Sequence, residues 1–468
     1  MKKLAKKIFI PLAAALTVVV AAGATVAIVR FAHNGATNVI VDKAKEKIYG
    51  MGFDEETETY VHLDDAVGFK YGINGAKNDF DKAYPWSDIK TVYDKGSYFV
   101  EVPKFYIMTD EEGIHISGKK HNENWIVDPA FLAADKETEL PWFRVGAYEA
   151  SFTNESKSAL ASVPGKMPAA NITMAQARTM AMGAGNYLFD ARENSALQKL
   201  FVVEFLTFDS QSVMLGATDY WDLAGSWDAG KISVFHNMTI DDTNSSTEDL
   251  MKQKYVVFSD ENGNYFDYRE IKEIIDNGDD TYDVHLKNSV ELPEGDSSCI
   301  YIGEFLPTGT TDNMRGSSKG TSFSGAMNYR GVENWYGNYD TWLDGIGFKD
   351  LAGDNGGSLV YSFDPNRYSS SDFSSYEEIE NVNLNGFDGT YNVDDFGLIY
   401  PTNNGGESID NTYCNISSSN ETVAYRIGFM GGSSYNGSDA GAFYLHLWLD
   451  ASLAGAYCGF RLSQYPSK

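Results

Sequence analysis

The sequence predicts an α+β fold with strands in excess, a small inserted β module and an N-terminal transmembrane helix. Three observations carry this expectation. The 468 residues are 14% aromatic and hold 44 Gly against only 12 Pro, a mix that suits a β-rich, loop-rich fold and not a disordered chain. An uncharged run opens the chain at Ile8–Val29. Near the end, Phe443, Leu445, Leu447 and Leu449 alternate with Tyr444, His446, Trp448 and Asp450. That period of two marks a strand with one face buried.

Residues 1–30 read as a signal-anchor or transmembrane segment. Four lysines in MKKLAKK precede 22 uncharged residues, enough to span a bilayer core as a helix. Lysines on that side place the N-terminus in the cytoplasm and everything after Arg30 outside. The expected localisation is a single-pass cell-membrane protein with an extracellular C-terminal domain. A cleaved signal peptide and a secreted chain form the alternative.

Residues 31–50 read as a stalk, and residues 51–228 as the N-terminal part of the main domain. β-like runs occur at Tyr98–Ile107, Glu112–Gly118 and Phe143–Phe152. Thr173 is placed to cap a helix that closes on Gly183 and Gly185. Asn194 or Ser195 is placed to start a second helix, in which Leu197, Leu200, Phe201, Phe205 and Phe208 recur at helical spacing. Residues 229–309 are more charged and read as an inserted β module. Within it, Asp-Asn-Gly-Asp-Asp at 276–280 predicts a hairpin. Residues 310–468 form the C-terminal part of the main domain.

A net charge of −29 disfavours nucleic-acid binding, because such a surface repels phosphate backbones. The three cysteines, Cys299, Cys414 and Cys458, form no CxxC pair, and their odd number argues against a disulfide framework. The seven His show no HExxH or HxH spacing. No metal site, cofactor or catalytic residue is therefore expected.

Four segments resemble a known family. GVENWYGNYDTWLDGI (Gly331–Ile346), YRIGFMGGSSYNGSDAGAFYLHL, CGFRLSQ (Cys458–Gln464) and FRVGAYEASF (Phe143–Phe152) resemble, in order and spacing, the C-type-lectin-like fold of formylglycine-generating-enzyme-like domains. The variable proteins of diversity-generating retroelements, found in phage and on bacterial surfaces, share that fold. The resemblance implies structural roles for Asn334, Trp335, Gly337, Asn338, Trp342 and Arg461. It also implies that positions open to variation are Tyr435, Asn436, Ser438, Asp439, Tyr444, His446, Trp448, Asp450, Ser452 and Tyr457.

The expected function is a surface-displayed, non-enzymatic ligand-binding protein. Tyr435, Asn436, Ser438, Asp439, Tyr444, His446, Trp448, Asp450 and Tyr457 form its expected contact face, since amphipathic aromatics are favoured where one molecule meets another. The expected partner is a macromolecule, a protein or glycan on another cell or phage. Two alternatives remain open at this point. One is a cysteine oxidase of the formylglycine-generating type, for which Cys414 and Cys458 are the candidate pair. The other is a structural phage-tail or adhesin subunit.

Overall fold

The computed structural model describes residues 43–218, 221–227, 238–239, 251–259, 265–278, 281–288, 298–302, 305–311, 318–320, 325–350, 357–369, 371–382, 385–387, 391–393, 398–401, 413–415, 424–450 and 452–466. Sheet dominates the described residues. This corrects the expected α+β fold with a transmembrane helix. Among the described residues no helix is long and apolar enough to cross a membrane. The run Ile8–Val29 itself lies outside the described residues. Among the described residues, the single-pass localisation, the signal-anchor reading and the membrane as partner find no helix to support them.

The first five-stranded sheet runs Thr59–Asp64, Ile48–Asp54, Ile114–Ser117, Tyr106–Thr109, Ile126–Val127. Its strand at Ile48 begins inside the expected stalk. A second five-stranded sheet runs Tyr187–Leu188, Leu462–Gln464, Trp142–Gly146, Ser97–Pro103, Lys90–Asp94. The end of the chain is therefore threaded between early strands, with Ser463 paired to Val145. The single run expected at Tyr98–Ile107 divides between these sheets. Pro103 ends one strand and Tyr106 begins the other, as expected of a residue that cannot donate to a ladder.

The strands between Trp221 and Ile302 form a six-stranded sheet of their own. Within it Tyr265–Asp276 and Thr281–Leu286, the strands flanking residues 277–280, pair antiparallel. Gly278 there has φ +76°, a value that costs glycine nothing.

The largest sheet holds eight strands. Seven run in the order Glu377–Val382, Gly357–Tyr361, Asp340–Asp350, Ala424–Gly431, Gly441–Asp450, Tyr413–Asn415, Asn385–Phe387, and Cys458–Gly459 joins the Asp340 end in parallel.

Among the described residues, two helices of ten residues or more pack among these sheets. The first, α1, spans Met174–Gly183. Thr173 and Gln176 close a reciprocal capping box at its start. The second, α2, spans Ala191–Phe205 and starts earlier than Asn194 or Ser195. The reason is Asp190, whose carboxylate accepts from the N–H groups of Arg192 and Glu193 while Glu193 reaches back to the Asp190 N–H. Every residue of α2 is buried, charged ones included.

Burial of these charges is tolerable only with partners, and each has them. The Glu204 carboxylate is gripped by Arg330 through two hydrogen bonds of 2.7 Å. Lys199 pairs with Asp128 in the interior. Arg192 and the hydroxyls of Tyr368 and Tyr465 converge on Asp190. The Gln198 amide donates to the Ala442 carbonyl at 2.7 Å, tying the helix to the eight-stranded sheet.

Candidate functional site

The strand Gly441–Asp450 lies inside the eight-stranded sheet. It pairs antiparallel with Ala424–Gly431 on one side and parallel with Tyr413–Asn415 on the other. Its alternation does not sort cleanly into an inner and an outer face. Phe443 and Leu447 are buried as expected, but Tyr444 is only 3% exposed. Leu445 and Leu449 are half-buried.

Two features cause this departure. Register shifts between Ile427 and Phe429 and between Met430 and Gly431 locally break the period of two. The Tyr444 hydroxyl also lies under the preceding loop, accepting from the Asn436 amide at 3.4 Å. Tyr444 therefore supports the loop from beneath and does not face outward. His446 is half-buried, 6.1 Å ring to ring from Tyr444. Burial pushes its imidazole down to about 4, so it is neutral at physiological pH. The Trp448 side chain lies outside the described residues, while Asp450 is exposed and caps the Ser452 N–H at 2.8 Å.

The loop from Gly431 to Ala440 carries the more exposed candidates. Tyr435 is 46% exposed. Its ring meets Phe305 edge-on at 5.5 Å and Tyr457 edge-on at 6.5 Å. Ser438 is exposed, and Asn436, Asp439 and Tyr457 are half-buried.

This loop is held at several points. Gly437 N–H donates to Thr218 O at 2.7 Å, and Ser434 N–H to Asn338 O at 3.0 Å. The Gln211 amide donates to the carbonyls of Gly437 and Ala440 at 2.8 and 2.7 Å. Asn436 Oδ1 accepts from the Ser433 N–H at 2.8 Å. Gly432 (φ +69°) makes the turn possible, since a Cβ there would sit 2.8 Å from that of Ala440. The structure thus gathers Tyr435, Asn436, Ser438, Asp439 and Tyr457 at one loop cluster. It places Tyr444 below that cluster.

The segment Gly331–Ile346 lies beneath, and several of its polar side chains join a buried hydrogen-bond network. Asn334 and Asn338 both donate to Glu149 Oε2, at 3.1 and 2.7 Å. Asn338 also bonds both ways with the Leu306 backbone. Arg461 is fully buried and donates to the carbonyls of Gly146, Glu333 and Asn334 at 2.7–2.9 Å. The Trp335 indole donates to Asn194 at 2.9 Å. Trp342 packs 3.8 Å from the Phe429 ring. Gly337 has φ +72°, and a Cβ there would meet Ala217 O at 2.7 Å.

Glu149, Phe305 and Gln211 were not singled out from sequence. A lone carboxylate in the apolar run FRVGAYEASF was the available signal for Glu149.

One further arrangement bears on chemistry. Cys458 is buried and pairs in register with Asp340. Asp340 is itself buried, and its Oδ1 has no hydrogen-bond partner among the described residues. Burial pushes this carboxyl up to about 8. Burial and the neighbouring Asp340 push the Cys458 thiol up to about 12. A thiol held so far from ionisation is a poor nucleophile. Among the described residues no three His, Cys, Asp or Glu side chains converge to hold a metal ion.

The chain matches no protein-family model and no curated protein.

Proposed function

We propose that the chain is a non-enzymatic ligand-binding protein built on a C-type-lectin-like scaffold. Its contact face is the Gly431–Ala440 loop together with Tyr457; Asp450 pairs with Arg426 at the opposite end of its strand and lies outside that face. The observation that carries this reading is Tyr435, an exposed aromatic on a loop whose backbone is pinned by the Thr218, Asn338 and Gln211 hydrogen bonds. A rigid Tyr supplies large amphipathic contact area at little entropic cost.

The oxidase alternative needs two cysteines within reach of each other. The buried, un-ionised Cys458 and the place of Cys414 across the sheet speak against it.

The test is Tyr435→Ala, with binding read on immobilised glycan and protein arrays. Signals of the parent protein should fall about tenfold or more, the usual cost of losing a contact anchor, at an unchanged Tm. Array signals that survive the substitution would remove the loop from the contact face.

A further inference from the structure

We propose that a second site, away from the Gly431–Ala440 loop, binds a small ligand through an oxyanion group: a carboxylate, sulfate or phosphate. It is a polar cleft of about 460 Å³ between the turns near Asp81 and Ser87, the start of the Lys90–Asp94 strand, and residues 319 and 330–331. No residue of the C-terminal contact face lines it. Its volume falls within the range of small-molecule sites.

The charge of the lining runs against that of the chain. Overall, 66 acidic residues outnumber 37 basic ones. In the cleft, Lys90, Lys319 and Arg330 face a single acid, Asp81. The hydroxyls of Ser87 and Thr91 complete the polar lining.

Arg330 is the built part of the site. It is 9% exposed, and its Nε and one Nη2 N–H are committed to Glu204 at 2.7 Å. The other Nη2 N–H reaches Asp81 at a long 3.3 Å, and Nη1 reaches Trp86 O at 3.4 Å. A guanidinium has five N–H groups, so one Nη1 N–H has no partner among the described residues. Glu204 holds the fork rigid. Asp81, with its side chain 40% exposed, is a weak occupant that a better-placed anion can displace. The Lys90 side chain is 63% exposed, and its ammonium is in an ion pair with Glu101. Such a pair holds it only loosely.

The experiment is calorimetric titration of the full chain with inorganic phosphate, sulfate and glucuronate, at constant ionic strength held with chloride. Saturable binding of at least one probe is expected. Binding of phosphate or sulfate alone would assign an inorganic-type oxyanion site, and binding of glucuronate alone a sugar-acid site. The double variant Lys90→Gln/Lys319→Gln should weaken binding about tenfold; Lys90→Gln alone, at a side chain 63% exposed, should weaken it in the same direction with Tm unchanged. Arg330 is left intact, since removing it strands Glu204. Tyr435→Ala should leave this binding unaltered, which separates the cleft from the contact face. Absence of saturable binding to all three probes, or binding insensitive to the double lysine variant, would overturn the proposal.

Discussion

Cys414 and Cys458 are held four strands apart across the eight-stranded sheet, Cys458 one residue from the row that ends at Cys414. Gly459 pairs with Thr341, Thr341 with Met430, Met430 with Leu445, and Leu445 with Cys414. Four inter-strand steps of roughly 4.8 Å place the ends about 19 Å apart. A disulfide requires Cα atoms within roughly 7 Å. No bridge between these two cysteines can form in the folded chain. Mass spectrometry of the non-reduced, digested protein should find no Cys414–Cys458 peptide. Alkylation of native protein near pH 8 should modify Cys458 far more slowly than alkylation in urea, because its thiol is buried and un-ionised. Prompt labelling of Cys458 in the native state would reopen the oxidase alternative.

Arg461 ties the terminal strand to three carbonyls and lies beside the Glu149 carboxyl. Replacing it with Met leaves those acceptors buried without a donor. Breaking such a buried charged network by removing one partner costs on the order of 3–5 kcal/mol. Urea denaturation of Arg461→Met should show a loss of that size, and Arg461→Lys should recover only part, because a single ammonium cannot reproduce the planar fork. A loss under about 1 kcal/mol would mean that the network is dispensable.

Two groups pull stability in opposite directions with pH. Asp340 has a folded value of about 8, raised from 3.8 by burial. Between those values the folded state holds a proton that the unfolded state has released, so stability falls as pH rises from about 4 to 8. His446 has a folded value of about 4, lowered from 6.5 by burial. The unfolded state then binds the proton first, so stability falls as pH drops from about 6.5 to 4. Asp340→Asn should therefore raise Tm relative to the parent at pH 8.5 and change it little at pH 4. His446→Gln should blunt the loss below pH 6. Because His446 stays neutral above about 5, ligand binding between pH 6 and 8 should show no step that His446→Gln removes.

Local signals in the chain proved readable where their partners are also local. Thr173 and Gln176 lie three residues apart, and the box they form starts α1 as the sequence suggests. The strands on either side of the Asp276–Asp280 segment likewise pair with each other. The start of α2 was missed because its first turn is polar. Arg192, Glu193, Asn194 and Ser195 are buried against Tyr465, Ser463, Trp335 and Ile399, partners 141–273 residues away that no window reveals. Alternation in Gly441–Asp450 correctly marks a strand, but alternation cannot tell whether a second layer covers the other face. Asn436 and its loop do so at Tyr444.

That cover sets which positions of the C-terminal region can change without unfolding it. Ser438, Asp450 and Ser452 are exposed, as is Tyr435. Phe443, Tyr444 and Leu447 are buried. Tyr444→Ala should cost about 3–5 kcal/mol, as for other large buried aromatics, whereas Tyr435→Ala should leave the urea midpoint close to the parent. A saturation library over residues 433 to 462, sorted for folded display, should therefore accept most residues at 435, 438, 450 and 452 and reject polar ones at 443 and 447. The same division tests whether a retroelement rewrites this region. DNA flanking the gene is then expected to encode a reverse transcriptase and an adenine-rich near-copy of these codons, mismatched at the tolerant positions and identical at Phe443, Tyr444 and Leu447. A near-copy with mismatches at the buried codons would separate diversification from the contact face proposed above, and flanking DNA with neither feature would leave a binder of fixed specificity.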